Sequence, residues 1–269
     1  NPNKLNDVPK FEQIKNTSLT LFLDNSSQTL SAEEAVQKGV LPNKLVAYYM
    51  SLLTMFYSKT GINMERTRFR QLSDDEKAFY ASTAFDFEVE TSNGWLELVA
   101  CNYRSDYDLS KHSAISKQNL NVIDPSDNTK VLPHIFELSM GIDRSIYSIL
   151  EHSYYEDLES KRVVLKLVPQ VAPVLVGVFP LVTKDGLREK AQDIHASLKL
   201  DYSTFYDESG SIGRRYRRLE EIGAPFALTI DNQTMNDDTV TIRHRDSMQQ
   251  ERQSVSDIPK FLDTVLDSK

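Results

Sequence analysis

Between Lys44 and Thr60 the apolar residues Leu45, Tyr48, Tyr49, Leu52, Leu53, Phe56 and Tyr57 recur at three- and four-residue spacing, with Gly61 at the stop. That period predicts a well-buried helix whose inward stripe is those residues. Upstream the chain is mixed and rich in Asn and Ser, with one apolar run at residues 19–23. Ser31-Ala-Glu-Glu34 has capping-box spacing, the hydroxyl accepting from a backbone amide while the glutamate reaches back, and predicts a short helix ending near Gly39. The period then shortens. Residues 79–90 and 95–103 are rich in aromatic and β-branched side chains, and Asn93-Gly94 between them is a strong hairpin signal. Residues 113–130 are polar and read as a loop with a turn cluster at 124–128; a strand is expected at 131–137 and a helix at 141–151 with Ile146, Ile149 and Leu150 inward.

A boundary is expected near residues 169–173, and past it the alternation is regular. Strands are predicted at 174–182, 202–206, 225–231, 239–243 and 251–255. Helices are predicted at 185–199, from the Gly-Arg segment to Ile222, and at 258–266. The expected organisation is therefore an α+β unit with an antiparallel sheet over residues 1–170, followed by an α/β domain over 171–269.

Composition narrows the function classes. A hydrophobic fraction of 40% with 26% charged residues is a globular profile, and the longest apolar run, 174–182, has strand length only. Cys101 is the single cysteine, so no disulfide within the chain is available, and an intracellular, cytoplasmic protein is expected. The first residue is Asn1, with no apolar leader after it, which reads as part of a longer chain. The net charge is −8; from Ala172 onward there are 13 basic against 16 acidic residues, and upstream 18 against 23. Neither half has a basic bulk field, so any nucleic-acid contact must come from a local patch. The run Arg214-Arg215-Tyr216-Arg217-Arg218 after Ser209-Gly210-Ser211-Ile212-Gly213 is the candidate. On a helix Arg214, Arg217 and Arg218 share a face suited to phosphates, while Arg215 points away toward Glu220 or Glu221. The glycine-containing loop before them could present amides to a phosphate.

No P-loop, dinucleotide fingerprint, nucleophile elbow or paired Cys/His ligand set is present, and the five histidines are scattered. Two clusters gain meaning together: residues 95–99 with Arg104-Ser105-Asp106-Tyr107-Asp108-Leu109, and Phe136-Glu137-Leu138-Ser139-Met140-Gly141-Ile142-Asp143-Arg144. A strand ending in Glu-x-Ser, a tight glycine and a helix opening with Arg resembles the third signature motif of class II aminoacyl-tRNA synthetases, placed here at 133–150. With Arg68-Phe69-Arg70-Gln71, residues 178–182, residues 207–226, Asp238–Arg243 and Arg245-Asp246-Ser247-Met248 in order, nearly the whole chain resembles the C-terminal part of glycyl-tRNA synthetases of the archaeal and eukaryotic dimeric type.

The resemblance implies a fold and a chemistry. Residues 1–170 would be the later portion of the catalytic domain and 171–269 the anticodon-binding domain. The family's first two signature motifs would lie upstream, so the 269 residues alone are expected to be inactive. The implied reaction is ATP-dependent activation of glycine and its transfer to tRNA(Gly), with Mg2+ accompanying ATP as substrate, no tightly bound organic cofactor, no membrane and a homodimer as the full-length chain. Glu137, Ser139, Gly141 and Arg104 would line the glycine site, with Glu137 and Arg144 as the catalytic pair. Glu97, Leu98, Gly141, Ile142, Asp143 and Arg144 would meet ATP, Glu97 beside its Mg2+, and Arg214, Arg217 and Arg218 would contact tRNA. Phe79, Thr83 and Phe85 stand where the family usually has His, Asp and Trp. The competing readings are a non-catalytic relative acting as a nucleic-acid-binding accessory subunit and, for Glu97 and Arg104, a plain ion pair across strands.

Overall fold

The computed structural model describes residues 1–267, and the chain divides into two compact units, residues 1–58 with 62–148, and 59–61 with 149 onward. The first unit runs α1 (Phe11–Ile14), β1 (Ser18–Leu23), β2 (Ser26–Ser31), α2 (Ala32–Gln37), α3 (Lys44–Ser58), β3 (Thr67–Gln71), β4 (Thr83–Thr91), β5 (Gly94–Ser105), α4 (Tyr107–Ser116), β6 (Val122–Ile123), β7 (Lys130–Val131), β8 (Ile135–Met140) and the start of α5 (Ile142–Ser153). Ser31 and Glu34 close the expected capping box on α2. Six strands form one sheet in the order β2-β1-β3-β4-β5-β8, antiparallel except for the β1–β3 pair.

Residues paired across strands share a face, so the register sorts side chains into two surfaces. Leu21, Phe69, Phe87, Val99 and Cys101 point to the buried side, where Tyr57 of α3 stacks on Phe87 with ring centres 4.9 Å apart. The opposite face carries Arg70, Asp86, Ala100 and Ser139 in one cross-sheet row and Arg68, Glu88 and Glu97 beside it. An apolar face therefore anchors the sheet on α3 and leaves a polar face for chemistry.

Two helices differ in phase from their sequence patterns. In α3 the buried residues are Val46, Ala47, Met50, Ser51, Leu53 and Tyr57, while Tyr49 and Phe56 are exposed. The period is as expected but the stripe is rotated, because Tyr57 fixes the helix on the sheet. In α5 Ile146 and Leu150 are exposed and Ser145 and Ser148 are buried; Ser145 Oγ bonds Tyr57 Oη at 2.8 Å and donates to the Gly141 carbonyl. Small hydroxyls satisfied by the helix's own carbonyls let the helix approach closely, which the apolar spacing did not disclose. The polar stretch expected as loop begins with the end of α4, then makes the short β6–β7 hairpin around the predicted turn.

The second unit runs β9 (Tyr154–Asp157), β10 (Arg162–Leu165), β11 (Val176–Pro180), α6 (Leu187–Leu198), β12 (Thr204–Tyr206), α7 (Ile212–Glu221), β13 (Phe226–Ile230), α8 (Asn232–Asp237), β14 (Thr239–His244), β15 (Gln250–Ser254) and α9 (Ile258–Asp267). The five-stranded sheet is ordered β12-β11-β13-β14-β15, with β12, β11 and β13 parallel and β14 and β15 antiparallel. Val176 and Val178 join α6 and α9 on one side, through Ile194 and Leu262. Phe179 and Ala227 join Leu219 of α7 on the other. Gly177 lets α7 this close: a Cβ there would stand 2.7 Å from the side chains of Leu219 and Phe179. The sequence boundary at 170/171 and the contact boundary at 148/149 differ because of the β9–β10 hairpin. Arg162 of β10 is buried, donates to the Arg245 carbonyl at 2.9 Å and lies 3.3 Å from Glu220, which ties the hairpin to the α/β sheet.

Candidate active site and nucleic-acid interface

β8 is an edge strand of the first sheet, and its alternation places Glu137 and Ser139 on the polar face, opposite Asn102 and Ala100 of β5. The chain then turns at Gly141, whose amide donates to the Leu98 carbonyl at 2.9 Å, and enters α5 with Ile142, Asp143 and Arg144 exposed in its first turn. The β4–β5 ladder slips between Phe87 and Glu88, so Glu88 faces Glu97. Arg144 reaches back to this point: Nη1 donates to the Glu97 carbonyl at 3.0 Å and to its Oε2 at 3.3 Å. Both side chains are about half exposed. An exposed pair contributes about 1 kcal/mol or less, so Arg144 can turn to a phosphate at small cost.

Arg104 sits where the β5–β8 register shifts between Tyr103 and Ser105. Its Nε and Nη2 donate to both carboxylate oxygens of Asp108, at 2.7 and 2.6 Å, and its Nη1 donates to Glu137 Oε2 at 2.6 Å. The Tyr80 ring lies under the guanidinium, 3.9 Å from its carbon to the ring centre. The ion pair across strands weighed as the plain alternative is present for Arg104, with Glu137 of β8 and with Asp108 added, whereas Glu97, also on β5, pairs with Arg144 of α5. Leu98, expected to meet ATP, is buried. It is the residue passed over in the ladder slip, its side chain is 1% exposed, and it has no side-chain surface to offer a nucleotide. Phe79, in the position where the resemblance expects His, is 83% exposed and touches Tyr80 and Tyr107 edge-on.

The polar face also holds residues that sequence reasoning did not assign to a site. Arg68 donates to Glu88 Oε2 at 2.7 Å and lies between the rings of Phe22 and Trp95. Arg70 donates to Glu88, Asp86 and Glu76. Burial, followed by the Glu97 charge, pushes the Asp86 carboxyl up to about 6 despite Arg70. Strand alternation in Arg68-Phe69-Arg70 was the available signal, since charges two apart on a strand share a face. Among the described residues no group of three or more His, Cys, Asp or Glu side chains is arranged to hold a metal ion.

On α7 the arginines are mostly committed to the fold. Arg215 is buried and donates to the carbonyls of Pro180, Glu208 and Gly210, so the expected pairing with Glu220 or Glu221 does not occur; Glu220 pairs with Arg162 and Arg243. Arg217 donates to the Ser160 and Lys161 carbonyls in the β9–β10 turn at 2.9 and 2.7 Å. Arg218 pairs with Asp207 and donates to the Ser209 carbonyl. The shared phosphate-binding face expected for Arg214, Arg217 and Arg218 therefore reduces to the exposed Arg214, for which no described residue is a partner. In the preceding loop the Ser209 amide donates to Asp207, and the carbonyls of Gly210 and Ser209 accept from Arg215 and Arg218.

Comparison with known proteins connects the two units. Residues 175–264 match the family described as the anticodon binding domain. Over 91% of its length the chain is 33% identical to the glycine–tRNA ligase of Archaeoglobus fulgidus, covering 56% of that protein. It is 42% identical to the glycine–tRNA ligase of Clostridium acetobutylicum over 80% of this chain and 47% of the relative. With the Pyrococcus abyssi glycine–tRNA ligase it shares 32% identity over 99% of its length and 61% of the relative. The chain spans about half the length of the curated relatives it matches, and no helix among the described residues is long and apolar enough to cross a membrane. Over nearly its whole length the chain is similar to the C-terminal part of glycine–tRNA ligases.

Proposed function

We propose that the first unit is the later part of a class II synthetase catalytic domain, contributing the glycine-contacting wall and one ATP-binding arginine of a glycine–tRNA ligase, and that the second unit holds the anticodon of tRNA(Gly). The observation that carries this reading is the convergence on one polar sheet face of Glu137 and Ser139 on β8, Arg104 on β5 and Arg144 beside Glu97. Glycine's ammonium would be received by Glu137 and Ser139, while its carboxylate oxygen attacks the α-phosphorus of ATP and pyrophosphate departs. A terminal hydroxyl of tRNA then attacks the adenylate carbonyl and releases AMP. Little covalent work falls to the protein; placing the reactants and balancing charge is the task. Arg144 offers the γ-phosphate a planar two-pronged donor. The Mg2+ that accompanies ATP comes with the substrate, and Glu97 would stand nearest to it.

A non-catalytic accessory role draws on Phe79, whose exposed ring replaces a polar group. It leaves unexplained why Glu97, Glu137, Ser139 and Arg144 converge on one face, and the ligase reading accounts for all four. In the full-length protein, Arg144→Ala should abolish glycine-dependent pyrophosphate exchange without lowering the melting temperature. Glu137→Gln should raise the KM for glycine more than that for ATP. Exchange unaffected by both substitutions would remove the ligase reading in favour of the accessory one. The 269 residues alone should form no detectable adenylate.

A further inference from the structure

Arg104 carries more constraints than a substrate-binding arginine requires. Asp108, four residues on and in the first turn of α4, takes two of its donors in a side-by-side pair at 2.6 and 2.7 Å. Tyr80 stacks beneath its plane. Only Nη1 is directed at Glu137, at 2.6 Å to Oε2; no described residue donates to Glu137 Oε1. The guanidinium is thus flanked by two carboxylates, and the group as a whole carries a net negative charge. Side-by-side pairing strongly orients an arginine, and an aromatic ring fixes the tilt of its plane. The Arg104 guanidinium in turn holds the Asp108 carboxyl below its ordinary range, so Asp108 is ionised at neutral pH.

We propose that Asp108 and Tyr80 are positioning residues for ammonium recognition: Asp108 neutralises Arg104 and, with Tyr80, holds its fork so that Glu137 keeps one carboxylate oxygen and an unbalanced negative charge for the amino group of a small α-amino acid. This rests on the assignment of Glu137 to the amino-acid site. Without Asp108, Arg104 is free to take Glu137 with two donors. That would consume both oxygens and leave a neutral pair with no attraction for a cation. The sequence hides the arrangement because no helix was expected at Tyr107–Ser116, and because Tyr80 comes from the segment before β4.

The test is glycine-dependent pyrophosphate exchange by the full-length protein, with glycine and ATP varied separately. Asp108→Asn should raise the KM for glycine about 10- to 100-fold, the range expected for losing a charge-assisted contact, with kcat and the KM for ATP within about twofold. Asp108→Glu should recover part of the loss. Tyr80→Phe should be silent, and Tyr80→Leu should raise the glycine KM about 3- to 10-fold. In a Glu137→Gln background, Asp108→Asn should add nothing, since its effect passes through Glu137. A glycine KM that responds to Glu137→Gln but to neither Asp108→Asn nor Tyr80→Leu overturns this proposal and leaves the site assignment standing. Additive losses that fall equally on glycine and ATP would mean that Asp108 is structural, which also overturns it. If Glu137→Gln itself leaves the glycine KM unchanged, the site assignment fails first. Should Asp108→Asn not fold, the Tyr80 pair and its cycle with Glu137→Gln decide alone.

Discussion

Arg214 and Arg217 lie less than one helical turn apart on α7, and replacing each with alanine should give opposite signatures in stability and RNA binding. Arg217 makes two bonds to carbonyls of the β9–β10 turn. Its side chain is exposed, so the bonds are discounted for competition with water to about 1 kcal/mol together. For a unit of this size that is a fall of about 4 °C in melting temperature. Arg214 has no such partner among the described residues, and Arg214→Ala should melt within about 1 °C of the parent. Under the RNA-binding reading the order reverses. Loss of one phosphate contact makes the slope of log affinity against log salt shallower by about 0.7 to 0.9. Over a fourfold rise in salt, from about 50 to 200 mM, the Arg214→Ala protein should therefore lose about threefold less affinity for tRNA than the parent. Thermal melts and fluorescence anisotropy with labelled tRNA at several salt concentrations measure both quantities. A slope unchanged in Arg214→Ala would place the RNA contact elsewhere on the second unit. A shallower slope in Arg217→Ala with no change in melting would show that its carbonyl bonds do not hold it, and the assignment of Arg217 to the fold would be wrong.

Other outcomes follow from the same geometry. Asp86 has its carboxyl raised from 3.8 to about 6, so the folded state holds this proton more tightly than the unfolded chain does. Its contribution to stability is present below about pH 4 and is lost as the pH rises through 6, a change of about 3 kcal/mol. Asp86→Asn should accordingly be more stable than the parent at pH 7 but not at pH 4 in urea titrations, and an equal difference at both pH values would refute the burial argument. Gly177→Ala should destabilise the second unit by about 2 kcal/mol, because the new methyl meets Leu219 and Phe179 at 2.7 Å; a neutral result would mean that α7 can shift outward.

Local signals in the chain determined much of this protein. The capping box at Ser31, the period-two aromatic strands around Asn93-Gly94 and the alternating strands and helices after Val174 each depend on neighbours a few residues away, and the elements stand close to where the spacing put them. The Glu-x-Ser, Gly, Arg series likewise marked one strand, turn and helix, and those residues do meet on one face. Tertiary packing decided what spacing cannot encode. Which side of α3 and α5 is inward depended on Tyr57, Phe87 and Ser145 meeting from distant parts of the chain. The partner of each arginine depended on which carboxylates and carbonyls the fold brought near. Arg217 and Arg218 looked in sequence like part of an RNA-binding patch, yet their donors satisfy carbonyls up to 57 residues away. Asp108 became part of the site only when α4 formed. A charge run states how many donors a helix carries; only the folded chain, where every buried carbonyl needs a partner, settles which of those donors are left for a ligand.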